Sequence, residues 1–416
     1  MQFNQVIGQK EIKLQLAHMI QHNRLSHALL FLGKEGSGAL SLARAFAQYN
    51  VCDRVKGKKA TDDRQPTTNL PSLFGEPEPV SGIQHPASGT PHPVSLNDSC
   101  GECPACKKSS QLVHPDIHFS YPVIPRKSGD KPISTDYIKE WRDFISTNPY
   151  GNVYDWLQFI GAENKQGNIT ALECSDIIRK MNLKSFESEY KILIMWMPEL
   201  LGKEGNKLLK LIEEPPPNTL FILVAENDSL ILPTILSRTQ LIKIPQLSAL
   251  DIESALELRN GISMQKAQQV AAISSGNYHE ALQQLQHAED DWEVLLRDWL
   301  NSIVKTGPAA QVKWIEEISK TGREKQKQFL KYFVHILELA IRLRVIPVEH
   351  SENRADVDFA LKFNKLCDIS QQEAIVNELD QAAYYIERNA NAKILFHALT
   401  IKLYHIISNK SVILMQ

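Results

Sequence analysis

HALLFLGKEGSGALSLARAFAQYN, residues 27–50, decides the fold class. Residues 27–32 form a short continuous apolar run, as a strand buried on both faces of a parallel sheet requires. The run breaks into the glycine-rich GKEGSG, and ALSLARAFAQYN then reads as a helix. Two further apolar runs, KILIMWM (191–197) and TLFILVA (219–225), enclose the helix-like GNKLLKLIEE. Strands alternating with helices in this way predict a parallel α/β sheet. Residues 10 to 24 carry helical periodicity through Ile12, Leu14, Leu16 and Ile20. After roughly Pro245 no run reads as a strand. A small Ala/Leu segment extends to about 285, and long amphipathic stretches follow. The last of these places Leu395, Leu399, Leu403 and Ile406 on one face.

The chain has 416 residues, enough for two or three domains. Charged residues make up 23% and the hydrophobic set 43%, the balance of a globular protein. Lys+Arg 46 against Asp+Glu 48 leaves a net charge of −2, which argues against a protein holding nucleic acid by its own global charge. No apolar run approaches the ~20 residues that span a bilayer, and MQFNQVIGQKEIK lacks the regions of a signal peptide. The expectation is a soluble cytoplasmic chain without membrane contact. Residues 53–99 hold seven of the 21 prolines with little periodicity, the texture of a loop.

Six cysteines occur: Cys52, Cys100, Cys103, Cys106, Cys174 and Cys367. Without a signal peptide a disulfide framework is not expected. The run CGECPAC places three thiols on a tight turn in which Gly101 and Pro104 suit a knuckle, and tetrahedral Zn²⁺ asks for a fourth ligand. Cys52 is the first choice for that ligand and His114 the rival. Such a site is structural, because four thiolates leave no open position. Cys174 and Cys367 lie in helical contexts and read as core.

In a Walker A loop, G-x-x-x-x-G-K-[ST], backbone N–H groups cradle phosphates, the Lys reaches the β/γ-phosphates and the hydroxyl holds Mg²⁺. Gly33 and Gly38 keep that spacing, but Ala39 and Leu40 follow. A charge-assisted contact contributes roughly 1.5–3 kcal/mol, so losing the Lys alone weakens nucleotide binding by about one to two decades. KILIMWMPELL stands where the Walker B strand should end in acidic residues, yet those positions are Trp196 and Met197. An apolar pair cannot coordinate a hard cation. Two independent losses describe an ATPase fold without an ATPase site.

The stretch NKLLKLIEEPPPNTLFILVAENDSLILPTILSRTQ (206–240) resembles the bacterial clamp-loader subunits, with Asn206, Leu208, Leu209, Lys210, Glu213, Glu214, Pro215, Pro216, Thr219 and Phe221, then Ser237 and Arg238. Thr239 replaces the usual Cys of that pattern. VIGQ (6–9), SHALLFLGKEGSG (26–38), the cysteine group and HPDIHFSYP (114–122) fall in the family's order, and ERNANAKILFHAL (387–399) looks like its collar helix. Within the family, the degenerate Walker motifs resemble the delta-prime subunits of DNA polymerase III rather than the gamma/tau motors. At the position of a nucleotide-sensing Arg stands His279.

The resemblance implies an AAA+ core over 1–245 with a zinc knuckle (52–106) and the insertion 53–99, a helical lid over 246–290 and a helical collar over 291–416. It implies a non-enzymatic stator that does not bind ATP and works in DNA replication. Its implied partners are gamma/tau and delta, with the sliding clamp reached indirectly and primed DNA held within the complex. Arg238, beside Ser237, would act as an arginine finger in trans. The competing expectations are an ATP-hydrolysing gamma/tau-type motor and a zinc-dependent nucleic-acid-binding module.

Overall fold

A computed structural model describes residues 1–57, 98–127, 129–162, 167–286, 292–344, 354–387 and 390–409. Most of the Pro-rich stretch lies outside the described residues. The chain divides into two compact units, Met1–Leu247 and Ser248–Gln416.

The first unit is built on five parallel strands: β1 (Ala28–Gly33), β2 (Ile117–Ser120), β3 (Lys191–Trp196), β4 (Thr219–Ala225) and β5 (Gln240–Ile244). Their order across the sheet is β2-β3-β4-β1-β5, with Leu30 opposite Leu223 and Leu241, and Ile194 opposite Ile222. Every residue of β3 and β4 is buried, which is why both read as unbroken apolar runs. Alternation sends Leu29, Phe31, Ile192, Ile194 and Trp196 into one apolar layer, and Ala28, Leu30, Leu193 and Met195 into the other. Helices cover both faces: α1 (Lys10–Gln21), α2 (Ala39–Val51), α3 (Pro104–Ser110), α4 (Ile138–Thr147), α5 (Val153–Phe159), α6 (Ala171–Asn182), α7 (Leu209–Glu213) and α8 (Pro233–Leu236).

Two differences from the sequence reading have local causes. GNKLLKLIEE is not one α-helix, because its first four residues complete a 3₁₀ segment, Pro198–Leu208, which itself turns at Gly202 (φ 52°, ψ −144°), and the short α7 begins only after it. Gly205 is also tightly held, since a Cβ there would lie 3.0 Å from Leu232 Cδ1 and 3.1 Å from Ile235 Cδ1. Regular structure after the insertion starts earlier than His114, at α3, where the Cys103 side chain accepts the Cys106 N–H at the helix start.

The second unit is helical, and no strand occurs among its described residues. Ser248 caps α9 (Ala249–Asn260) by accepting the Asp251 N–H, and Gly261 closes it in the left-handed region at φ 66°. Helices α10 (Met264–Ile273) and α11 (Tyr278–Gln286) follow. From α12 (Trp292–Asn301) onward come α13 (Pro308–Ile318), α14 (Arg323–Arg342), α15 (Arg354–Leu366), α16 (Ile369–Glu387) and α17 (Ala392–Asn409). Their apolar cluster centres on stacked Trp299 and Trp314, 4.7 Å apart, with Trp299 Nε1 donating to Thr400 Oγ1 at 3.0 Å. Its buried members run from Leu296 to Ile407, none of them from α9–α11. Leu399, Leu403 and Ile406 point into it from α17 and Leu395 packs against it, while Ile394 and Ile401 stay 69% and 57% exposed. No helix among the described residues is long and apolar enough to cross a membrane.

Candidate functional site

At the end of β1 the chain enters the glycine loop, and Gly38, at φ +84°, starts α2. A non-glycine residue would be strained there. Ala39 and Leu40 are buried and their side chains are apolar, so neither side chain offers a group to a phosphate or a metal ion. The adjoining cleft is lined by the loop together with Pro149, Tyr150, Gly151, Trp196, Val224 and Glu226. Trp196 closes the end of β3 within an aromatic cluster, 5.4 Å from Trp141 and 6.5 Å from Phe144. Met197 follows in the left-handed region (φ 59°), its N–H held by the Val224 carbonyl at 2.9 Å. The nearest acid along the chain, Glu199, has a different task. Its Oε1 accepts the N–H groups of Glu226 (2.6 Å) and Asn227 (2.9 Å) and pins the end of β4. Burial raises its pKa against the pull of those donors.

Ser237 and Arg238 follow α8, which Pro233 starts. The Arg238 side chain is 32% exposed. Its Nε donates to Glu213 Oε1 at 2.5 Å and one terminal nitrogen reaches the same oxygen. The other donates to the Thr234 carbonyl at 2.6 Å and to Ser237 Oγ at 3.1 Å. Glu213 belongs to the EEPPP segment, so the two quoted halves of 206–240 meet in space. His279, buried in α11, lies 2.8 Å from the Gln283 side-chain nitrogen.

The structure gathers Cys52, Cys100, Cys103 and Cys106, whose sulfurs all lie within 4.8 Å of one another. Cys52 arrives from the end of α2 and the others from the turn into α3. The Cys100 and Cys106 sulfurs are 3.9 Å apart. That suits the edge of a ZnS₄ tetrahedron, about 3.8 Å for a Zn–S bond of ~2.3 Å. Backbone N–H groups point at the sulfurs: Cys100 to Cys52 at 3.3 Å, Cys103 to Cys100 at 3.3 Å and Cys106 to Cys103 at 3.4 Å. Hydrogen bonding between the Cys52 and Cys106 thiols lowers the pKa of the first and raises that of the second. Four thiolates at this spacing need a cation between them. The donor set fits a metal ion, and none of the six cysteines is in a disulfide.

His114 stands outside the four-sulfur group. It is buried, accepts the Asp116 N–H at Nδ1 (3.1 Å) and places Nε2 3.3 Å from Glu187. Burial lowers its pKa. Cys174 is buried within α6, as expected, whereas Cys367, also buried, lies in the connection between α15 and α16 and not in a helix. Sequence reasoning missed Asp116, whose carboxylate accepts the N–H groups of Phe186 (2.5 Å), Glu187 (2.8 Å) and Ser188 (2.8 Å). Burial opposes its ionisation, but the three donors outweigh it and the pKa is lowered. A depressed folded value means stability that is present above the unfolded pKa of ~3.9 and lost as pH falls through the folded value. Asp116→Asn should therefore cost about 2 kcal/mol at neutral pH. Hydrogen exchange at residues 186–188 should accelerate in the variant, and unchanged protection would refute this role.

A parallel α/β unit built on a glycine loop, without the lysine, hydroxyl or acidic residues of a working nucleotide site, defines the class. Residues 8–68 and 92–248 match the family model described as DNA polymerase III, delta subunit, and the chain belongs to that family of clamp-loader subunits. Its sequence is delta-prime-like. It is 25% identical over 268 residues to DNA polymerase III subunit delta′ of Bacillus subtilis, covering 64% of this chain and 56% of that one. Against subunit delta′ of Pseudomonas aeruginosa the identity is 26% over 230 residues, 55% of this chain and 45% of that one. The tau/gamma subunit of Haemophilus influenzae matches at 24% over 237 residues, 57% of this chain and 22% of that one. The chain thus spans about half the length of these delta′ relatives. A solved DNA polymerase III gamma subunit-related protein from Thermotoga maritima aligns over 94% of this chain and 98% of its own, at 12% identity and a TM-score of 0.33.

Proposed function

We propose that this chain is the delta-prime subunit of a DNA polymerase III clamp loader, a non-catalytic stator in the cytoplasmic machinery that places the sliding clamp on primed DNA. The single observation that carries this reading is a contrast within one unit. Both corners that would hold Mg²⁺-ATP are apolar, at Ala39 and Leu40 and at Trp196 and Met197, while Ser237-Arg238 stays accessible at the end of α8. In this account the chain binds no ATP of its own, and Arg238 completes the site of a neighbouring gamma/tau motor. Cys52, Cys100, Cys103 and Cys106 hold a structural zinc. Residues 246–290 act as the lid and 291–416 as the collar, whose exposed Ile394, Ile401 and Tyr404 supply apolar area for assembly with gamma/tau and delta.

The motor alternative needs a lysine after Gly38 and a carboxylate at the end of β3, and both positions oppose it. A DNA-binding module acting alone is disfavoured by the net charge of −2. The test is reconstitution. Mixed with gamma/tau and delta, the purified chain should enter one stable complex on gel filtration, and alone it should show no Mg²⁺-dependent ATP hydrolysis. Exclusion from the complex, or ATP turnover by the isolated chain, would refute the reading.

A further inference from the structure

We propose that Tyr150 is a built-in plug, a side chain that fills the phosphate cradle above Gly33–Gly38 and braces it in place of a nucleotide. The inference deepens the reading of the chain as a subunit that binds no ATP, and rests on it.

A glycine loop leading into a helix N-terminus presents N–H groups that favour a phosphate. Here residues 149–152 lie over that position. Tyr150 is 5% exposed, and its ring covers Gly38 so closely that a Cβ on the glycine would sit 2.8 Å from Tyr150 Cε1. The glycine thus serves a phenol ring where a nucleotide-binding chain would serve a phosphate. The Tyr150 hydroxyl accepts the Ile7 N–H at 2.8 Å, so the ring spans from the VIGQ segment to the start of α2. On one side the Pro149 carbonyl accepts the Ser41 hydroxyl at 2.7 Å, within the first turn of α2. On the other, Asn152 Nδ2 donates to Glu35 of the loop at 3.2 Å.

The same cleft is drawn together from behind. Gln9 donates through Nε2 to the Ser37 carbonyl (3.2 Å) and to the Pro245 carbonyl (2.7 Å), tying VIGQ to the loop and to the residue after β5. The charge lining the cleft also opposes an anion, with carboxylates at Glu35 and Glu226 against the one cation of Lys34. The missing lysine and hydroxyl therefore account for only part of the loss of nucleotide binding. Restoring them should not restore the site while Tyr150 remains.

The experiment compares full-length variants by titration calorimetry with ADP, after circular dichroism has confirmed folding. The double variant A39K/L40T should show no heat of binding, and A39K/L40T/Y150A should bind ADP with a dissociation constant at least 10-fold below the lower bound that the double variant sets. A39K/L40T/Y150F, which keeps the ring and loses only the hydroxyl, should stay closed. Where Tyr150→Ala melts early, Tyr150→Val replaces it. Binding by A39K/L40T as tight as that of the triple variant would overturn the plug, and so would a folded triple variant no better than the double. Binding of ADP by the unaltered chain is a different failure, since it would contradict the reading of the subunit itself.

Discussion

Cys103→Ser should lower the zinc content from about one ion per chain to a small fraction and cut the melting temperature by roughly 6–12 °C, equivalent to a loss of about 3 kcal/mol. The size follows from what the knuckle joins. Cys52 ends α2, and Cys106 lies within α3. Asp98, next to the cluster, accepts the N–H groups of Phe3 (3.1 Å) and Asn4 (2.9 Å), and the Ser99 carbonyl accepts the Gln2 side chain at 2.5 Å. Gly101, at φ +74°, brings the turn so close that a Cβ would stand 3.1 Å from the Gln2 amide. A metal ion at the four sulfurs would thus fasten the end of α2, the start of α3 and residues 2–4 together. Without it, sulfurs this close share protons or separate. Because the ligands must be deprotonated, acid should release the metal, and elemental analysis after dialysis at low pH should register that loss. Metal-free wild-type protein with an unchanged melting temperature would contradict the knuckle.

Arg238→Ala, in a loader reconstituted with gamma/tau and delta, should slow ATP hydrolysis at the neighbouring site by ~10³-fold or more, the range of an arginine finger. The guanidinium is engaged with Glu213 and the Thr234 carbonyl, but an exposed ion pair contributes only about 0–1 kcal/mol. A γ-phosphate presented by a neighbour can therefore displace Glu213 at little cost. Arg238→Lys should rescue poorly, since a point ammonium lacks the planar fork. Glu213→Gln should change the rate by less than about threefold, separating loss of the tether from loss of the finger. The complex should still assemble with each variant. An intact rate with Arg238→Ala would remove the finger from the account.

Much of this architecture is legible in the chain because the physics is local. β1, β3 and β4 are buried on both faces, so each announces itself as an unbroken apolar run. β2 and β5 escape notice as edge strands, and QLIKI buries only Ile242 and Ile244. The kink at Gly202 depends on a backbone angle that composition does not specify. At the knuckle, Cys103 and Cys106 are set by spacing along one turn, while the choice between Cys52 and His114 needs the fold to return the end of α2 to that turn. Tyr150 carries no signature, and Asp116 lies within the quoted HPDIHFSYP without any sign there of what its carboxylate holds. Their roles come from the distant backbone they meet, at Phe186–Ser188 and at Ile7 and Gly38. The empty Walker positions were readable because they are defined by residues that are missing, whereas the plug is defined by one that arrives from elsewhere.

The central claim is that this subunit lends an arginine and holds no nucleotide. Photolabelling the assembled loader with an azido-ATP analogue, then separating its chains, measures this directly. The account predicts label on the gamma/tau motors and none above background on this chain; label on this chain that ATP competes away would contradict it.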